Sequence, residues 1–230
     1  MASGNSFVCG RFAFFSPAES AVHLFDIEAA EDLPPRYNIA PTQAVPVVRR
    51  QADGKRQLGQ LHWGLVPFWA KEKAIGNRMI NARAETVASK PAFRNAFRKK
   101  RCLVLADGFY EWQKQASGKQ PWFMSLKSDE PFAMAGLWET WRESEDADPL
   151  ESCTIVTTGP NEFMARLHNR MPVILPPQAA SIWLDPATDN ASLQSVLVPA
   201  EEGLLRAVEV SRRVNSPANE GPELILPVTG

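Results

Sequence analysis

The sequence has few of the residues that build disulfide scaffolds, metal sites or membrane spans. Its 230 residues include three cysteines and three histidines, all widely separated and without a CxxC pair. An odd number of dispersed cysteines argues against a disulfide framework and fits a reducing cytosol; a structural zinc site is not expected either. No apolar stretch approaches the ~20 residues that cross a bilayer, and the first residues do not read as a signal peptide. We therefore expect a cytoplasmic protein with no metal, no other cofactor and no membrane association.

The sequence also lacks a strong charge of one sign. Its formal net charge is -1, so nothing global points to nucleic acid, and any DNA-binding surface would have to be a local basic patch. The length suits one large domain or two small ones that share a core.

Short apolar runs, rich in β-branched and aromatic residues, recur between turn residues and predict strands. These runs are 45–48, 61–66, 102–106, 122–126, 132–138, 154–158, 172–175 and 224–228. Helical patterns are shorter and cover 16–28, 90–99, 160–167, 177–184 and 193–197. Ser16 and Pro17 would be the cap and first residue of the first helix, and Ser117-Gly118-Lys119 would form a hairpin turn. The fold class is therefore α+β, a mostly antiparallel, barrel-like sheet with peripheral helices.

Polar residues beside these runs are candidates for chemistry, and each has a plainer structural interpretation. Cys9 is either a small buried hydrophobe or a nucleophile. Glu111 lies between two aromatic residues, so it either faces solvent from a strand or is buried as a general acid with a raised pKa. His168 is either a surface turn residue or a proton shuttle. Asn81 and Arg83 alternate with alanines, which leaves room for a ligand but would equally suit an edge strand.

Two further features are candidates for DNA contact. Basic residues cluster between positions 90 and 101, and on a helix Lys90 and Arg94 would share a face. The cluster is either a solvated helix face or a phosphate-binding surface. Phe68 and Trp69 are either part of the core or an exposed wedge that stacks on bases.

Taken together, six short motifs resemble the SRAP family, the SOS-response-associated peptidase or abasic-site-processing proteins. Each motif alone is weak, but six in the right order and spacing are specific, and the match covers nearly the whole chain. The motifs are CGRF, RYNIAPTQ, WGLVPFWA, INARAET, DGFYEW and LHNRMPVIL.

The resemblance implies a protein that binds single-stranded DNA and crosslinks covalently to abasic sites through an N-terminal cysteine. Cys9 matches that nucleophile, and Asn81, Glu111 and His168 match the other active-site residues of the family. The α-amine of a terminal cysteine would trap the aldehyde of an abasic sugar as an imine, and the thiol would close a thiazolidine ring. This implies an abasic-site-processing enzyme with lyase-like chemistry and a self-cleaving peptidase activity.

The same resemblance implies a set of residues that hold the DNA. Arg83 and Arg170 match phosphate contacts, and Phe68 with Trp69 matches an aromatic wedge. The full expected set is Arg11, Asn38, Pro41, Phe68, Trp69, Arg83, Lys90, Arg94 and Arg170. We expect a monomer that acts in the cytoplasm, at damaged DNA in the nucleoid.

The sequence departs from the family pattern at its beginning. In the family the cysteine directly follows the initiator methionine, whereas eight residues precede Cys9 here. With its amine in a peptide bond, Cys9 would give at best a reversible hemithioacetal. Residues 1–8 would be a leader, either a tag or a mis-annotated start in which Val8 is encoded by GTG, or they would be removed by self-cleavage. Residues 9–230 would then form a single domain.

Three other functions are compatible with the same residues. Cys9 and His168, with Asn81 or Glu111, could form the site of a cysteine peptidase. The chain could also bind single-stranded DNA without crosslinking, or be a scaffold whose basic residues are only solvated.

Overall fold

The computed structural model describes residues 9–30, 33–116 and 118–228. The expected leader 1–8 and Ser117 of the expected hairpin turn lie outside the described residues. In the part that is described, the strands are β1 Phe12–Phe14, β2 Ala29–Ala30, β3 Arg36–Ile39, β4 Ala44–Arg50, β5 Arg56–Trp63, β6 Asn81–Arg83, β7 Arg101–Ala106, β8 Gly108–Gln115, β9 Gly118–Leu126, β10 Phe132–Trp141, β11 Leu150–Thr158, β12 Met171–Pro172, β13 Ile174–Leu175 and β14 Leu205–Glu209. The α-helices are α1 Ala18–Phe25, α2 Arg94–Lys99, α3 Glu162–Ala165, α4 Pro177–Leu184 and α5 Asn190–Ser195.

Five strands close into a barrel that contains much of the core. They follow the order β5, β4, β7, β10 and β11, and β11 pairs back with β5 in parallel, Ser152 opposite His62. Apolar side chains such as Val47, Val104 and Ile155 are fully buried in these strands. β-Branched and aromatic side chains suit such a pleated, enclosed surface, and closure removes the exposed strand edges.

A second, antiparallel sheet brings the beginning of the chain to its centre. Its strand order is β14, β9, β8, β1 and β3. β7 leads into β8 through Asp107, whose carboxylate accepts hydrogen bonds from the backbone N–H groups of Phe15 and Ser16. Because β1 lies between β3 and β8, the residues just before β1 are packed inside the sheet.

The expected fold class is confirmed as α+β, with a mostly antiparallel barrel and peripheral helices, although some local predictions were wrong. Residues 224–228 do not form a strand, because Leu224 and Ile225 end a 3-10 helix, Pro222–Ile225, and Pro227 makes only an isolated bridge with Val210. The basic helix begins at Arg94 rather than at position 90. Pro91 disfavours helical geometry at the residue before it, Lys90. Ser16 is not the cap of α1, because its hydroxyl bonds to Asp107 instead.

Candidate active site

Cys9 lies just before β1, and the sheet carries its backbone nitrogen to the carboxyl group of Glu111. The bond from Tyr110 N to Arg11 O continues the β1–β8 pairing toward Cys9. The Cys9 N–H donates to Glu111 Oε1 over 2.6 Å, and the Cys9 side chain is fully buried. The φ angle of Cys9 is 46°, which is uncommon for a residue with a side chain. The fold therefore presents the nitrogen of Cys9 directly to an acidic group.

Glu111 is buried, so the solvent-facing interpretation is wrong. Its exposed fraction is 1%, and burial raises its pKa from 4.5 to about 8, although hydrogen bonds from the N–H groups of Cys9 and Trp112 oppose this shift. Near neutral pH the side chain is therefore largely a neutral acid that can donate a proton. Burial, and then the Glu111 charge, also raises the pKa of the Cys9 thiol well above its ordinary value. The thiol is therefore protonated in this environment.

His168 lies at the other oxygen of the same carboxyl group, with its Nε2 4.0 Å from Glu111 Oε2. His168 Nδ1 accepts a hydrogen bond from the backbone N–H of Arg170 over 3.2 Å. A neutral imidazole has one donor and one acceptor nitrogen, so this bond places the proton on Nε2, facing Glu111. Burial lowers the pKa of His168, which favours the neutral form.

Asn81 and His168 belong to segments on either side of the end of β11. β6, which begins at Asn81, pairs with β11 in parallel and sets Arg83 opposite Thr157. β12, which follows the His168 segment, pairs with the other edge of β11 and sets Pro172 opposite the same threonine. Asn81 is half-buried there and Arg83 is exposed.

Arg170, a predicted phosphate contact, is held by a carboxylate of the protein. Its Nη1 and Nη2 donate to the two carboxylate oxygens of Glu85, and Nη2 also donates to Thr157 O over 2.6 Å. The bond from Arg170 is the main cause that lowers the pKa of Glu85, so this carboxylate is ionised near neutral pH. A DNA phosphate would have to replace Glu85 or bind beside it.

Arg11 and Asn38, also predicted DNA contacts, are buried and hold the C-terminal region of the chain. Arg11 Nη1 donates to Asn38 Oδ1 over 2.6 Å and to Val214 O over 2.7 Å. Asn38 Nδ2 donates to the carbonyls of Ser216 and Asn219, each over 2.9 Å. These contacts are structural, and a direct role of the two side chains in DNA binding stays a prediction.

The other predicted DNA contacts lie on the surface. Phe68 is 58% exposed and Trp69 is 49% exposed, so the interpretation of this pair as core residues is wrong. The remaining predicted contacts are exposed or half-buried, namely Pro41, Arg83, Lys90 and Arg94.

The basic cluster at positions 90 to 101 divides into an exposed part and an internal part. Arg101 is 7% exposed and donates to the backbone carbonyls of Trp183 and Asp185. Lys100 pairs with Glu139. The end of this cluster therefore stabilises the fold, and its beginning stays a candidate for phosphate binding.

Two residues near the site had no role in the sequence analysis, Glu85 and Gln113. Gln113 lies two residues after Glu111 on β8 and donates to the backbone carbonyl of Arg166 over 3.1 Å. The strand period of two could have placed Gln113 on the Glu111 face. No sequence signal pairs Glu85 with Arg170, which is 85 positions away.

A cavity of about 590 Å³ lies among α1, α4 and α5, and its lining, in the described part of the chain, contains none of the predicted site residues. Among residues 9–30, 33–116 and 118–228, no group of three histidine, cysteine, aspartate or glutamate side chains is placed to hold a metal ion. In the same ranges, no helix is both long and apolar enough to span a bilayer.

The fold defines a barrel protein in which the buried Cys9 and Glu111 lie together with the half-buried His168 near the first strand. The family model for SOS response associated peptidase (SRAP) matches residues 8–217. The chain is 46% identical over 225 residues to the abasic site processing protein YoqW of Bacillus subtilis, covering 95% of this chain and 99% of YoqW. It is 44% identical over 223 residues to the abasic site processing protein YoaM of the same organism, covering 95% and 97% of the two chains. A solved protein of Bacteroides thetaiotaomicron shares the fold with a TM-score of 0.85 at 24% identity, covering 96% of this chain and all of the other. The chain therefore belongs to the SRAP family.

Proposed function

We propose that the protein recognises abasic sites in single-stranded DNA and traps them as a thiazolidine crosslink on Cys9. The observation that carries the proposal is the 2.6 Å contact between the backbone nitrogen of Cys9 and Glu111 Oε1. In a chain that begins at Cys9, this nitrogen would be an α-amine beside its own thiol. The names of the relatives, abasic site processing proteins, supply the class of substrate.

The proposed chemistry begins at the amine. The Cys9 nitrogen adds to the C1′ aldehyde of the open sugar, and the resulting carbinolamine loses water to give an imine. Glu111, as a neutral acid, donates the proton that the departing hydroxyl needs. The thiol then adds to the imine carbon and its proton passes to the nitrogen, which closes the five-membered ring. This closure is intramolecular and gains from a high effective molarity.

Glu111 would regain its proton from the iminium nitrogen, and the Nε2–H of the neutral His168 would stabilise the transient Glu111 carboxylate by a hydrogen bond. Its Nε2 proton faces Glu111 Oε2 across 4.0 Å, and apo distances of this kind tighten when substrate binds. Asn81 would orient the amine or the sugar by hydrogen bonds. The lyase-like character of the proposed chemistry lies in the loss of water from the carbinolamine, an elimination that forms the imine.

The DNA strand would cross the surface that carries the exposed aromatic pair. Phe68 and Trp69 are free of the core and would stack on bases, while Arg83, Lys90 and Arg94 would meet phosphates. A monomer suffices for this arrangement, because every proposed group comes from one chain. We expect the protein to act in the cytoplasm at damaged DNA.

A second candidate function is removal of the residues that precede Cys9, and the same contact favours it. The Cys9 Sγ would add to the carbonyl carbon of residue 8, the bond to the Cys9 nitrogen would break, and Glu111 would protonate that nitrogen. The breaking of that bond frees the α-amine, and hydrolysis of the thioester by water would then release residues 1–8 and restore the thiol. Glu111 suits this role because its oxygen lies at the nitrogen that must leave.

The test compares two proteins, one that begins at Cys9 and one that keeps residues 1–8. Each is incubated with single-stranded DNA that contains one abasic site, and the products are separated on a denaturing gel after heating. We expect a heat-stable adduct from the first protein. The second protein should form the adduct only if it has lost residues 1–8, which intact-mass spectrometry measures. An equal adduct from a chain proven to retain residues 1–8 would overturn the thiazolidine route.

A further inference from the structure

The amide of Gln113 joins the strand that carries Glu111 to the segment that carries His168. Gln113 and Glu111 are two residues apart on β8, so their side chains share a face. Gln113 Nε2 donates to Arg166 O over 3.1 Å, and Gln113 Oε1 accepts from Trp122 Nε1 over 3.2 Å. Trp122 is the residue directly opposite Glu111 in the β8–β9 register.

These partners fix the orientation of the Gln113 amide. An indole N–H can only donate and a backbone carbonyl can only accept, so a flipped amide would lose both bonds. Gln115 Nε2 also donates to Gln113 Oε1, over 3.3 Å. The nitrogen of the amide is therefore committed to Arg166 O.

Arg166 is the first residue after α3, and its position determines where His168 lies. The His168 N–H donates to Met164 O over 2.8 Å, and the His168 ring accepts from the N–H of Arg170. The segment from α3 to Arg170 is thus bonded within itself and would shift together. A helix end leaves carbonyls without helical partners, and Gln113 satisfies one of them from the Glu111 strand.

We infer that Gln113 is a positioning residue that sets the separation between His168 Nε2 and Glu111 Oε2. The inference rests on the proposed function, because the reaction that this separation serves is the crosslinking step. The Gln113–Arg166 bond lies at the surface, so its loss costs little stability. The segment stays held at Arg170, but its Arg166 end loses its bond to β8 and can shift relative to Glu111. A displacement of about 1 Å in a reacting geometry can cost ~10²-fold in rate.

The test uses Gln113→Glu in protein that begins at Cys9. This variant keeps the size of the side chain and an acceptor for Trp122 but loses the donor to Arg166 O. We expect single-turnover crosslinking to abasic single-stranded DNA to slow about tenfold, with little change in affinity for the intact strand. The matched control is Gln194→Glu on the exposed face of α5, which should crosslink at the parent rate.

A double-mutant cycle separates positioning from a general structural effect. If Gln113 acts through His168, then Gln113→Glu has no further effect in a His168→Ala background. Equal slowing in both backgrounds would overturn the inference.

A second readout needs no reaction. The chain has three histidines, so the ring ¹⁵N signals of His168 are identified by their loss in His168→Ala. We expect the Nε2-protonated form in both proteins, because Arg170 N–H still bonds to Nδ1, but a shifted Nε2 signal in Gln113→Glu as its distance to Glu111 changes. An unchanged Nε2 signal with an unchanged rate would refute the role of Gln113. Failure of the parent and of Gln194→Glu to crosslink would count against the proposed function instead, and the ring signals would still test Gln113.

Discussion

Two groups of buried polar residues lie beside β1, Arg11 with Asn38 and Glu111 with its neighbours. They differ in how their polar atoms are hydrogen-bonded. Arg11 and Asn38 bind each other and the backbone carbonyls of the C-terminal region, so their donors are largely satisfied inside the protein. Glu111 instead accepts hydrogen bonds from the backbone N–H groups of Cys9 and Trp112 and faces the His168 imidazole across 4.0 Å, and burial raises its pKa to about 8. The first arrangement stabilises the fold. The second keeps a proton available, which is what a site of chemistry needs.

The largest expected effect comes from Cys9→Ala in protein that begins at residue 9. The variant keeps an α-amine but cannot close the ring, so its imine hydrolyses. We expect the heat-stable adduct on denaturing gels to fall by at least ~10³-fold. Cys102→Ala, which removes another buried cysteine, is the matched control and should leave the adduct in place. An undiminished adduct in Cys9→Ala would show that the Cys9 thiol is not needed for the crosslink.

The next effect is that of Glu111→Gln, which keeps the shape and removes the acid. We expect crosslinking to slow about 10²–10⁴-fold. In the parent the rate should fall above about pH 8, where Glu111 ionises, and the variant should lack this decline. A pH–rate profile of single-turnover crosslinking measures both. An unchanged decline in the variant would assign it to another group.

The same substitution has a stability consequence with a definite sign. The folded pKa of Glu111 is about 8, against 4.5 for the ordinary side chain, so between these values the folded chain holds a proton that the unfolded chain releases. The contribution of Glu111 is therefore full below about pH 4.5 and is lost as the pH rises to about 8. Thermal unfolding at about pH 5 and about pH 8.5 should show Glu111→Gln gaining on the parent at the higher pH. A gain at the lower pH would reverse the assigned direction.

Asn38→Leu tests the other cluster. It leaves the buried Arg11 without its closest acceptor and leaves the carbonyls of Ser216 and Asn219 without a donor. We expect the free energy of unfolding to fall by about 3 kcal/mol, measured by urea denaturation. At saturating DNA, the crosslinking rate of the folded variant should stay close to that of the parent. The reverse outcome, a stable protein that crosslinks slowly, would mean that the two clusters share one task.

The smallest expected effect is that of Glu85→Gln on DNA affinity. It removes the carboxylate that engages Arg170, so a phosphate can take its place. Affinity for intact single-stranded DNA should rise a few-fold at low salt, and the slope of log K against log salt should become steeper by about 0.7. Glu145→Gln, on an exposed loop, controls for the change in net charge. Equal tightening in both variants would show that Arg170 is not the cause.

The strands could be predicted from the sequence because their pattern is local. The apolar run 102–106 became β7, extended by one residue at Arg101. The run 224–228 has similar composition, but Pro222 and the contacts of the last residues favour a 3-10 helix there. The composition of a short run does not predict which of these conformations its tertiary contacts favour.

The candidate site could be named but not assembled from the sequence. The resemblance pointed to Cys9 and Glu111, which are 102 positions apart, and no periodicity predicts that one would donate its N–H to the other. Arg11 is a second example, because nothing in the residues around it predicts that its guanidinium group is buried and donates to Val214 O. Such facts depend on strand order, which local patterns do not determine.

The bond from Arg11 to Val214 also has a consequence for the order of events during synthesis. The two residues are 203 positions apart, so Arg11 is synthesised long before its partner. Until Val214 has left the ribosome, the guanidinium group lacks this acceptor, and the contact that holds the residues before β1 cannot form. The surroundings of Arg11 are therefore completed late in translation.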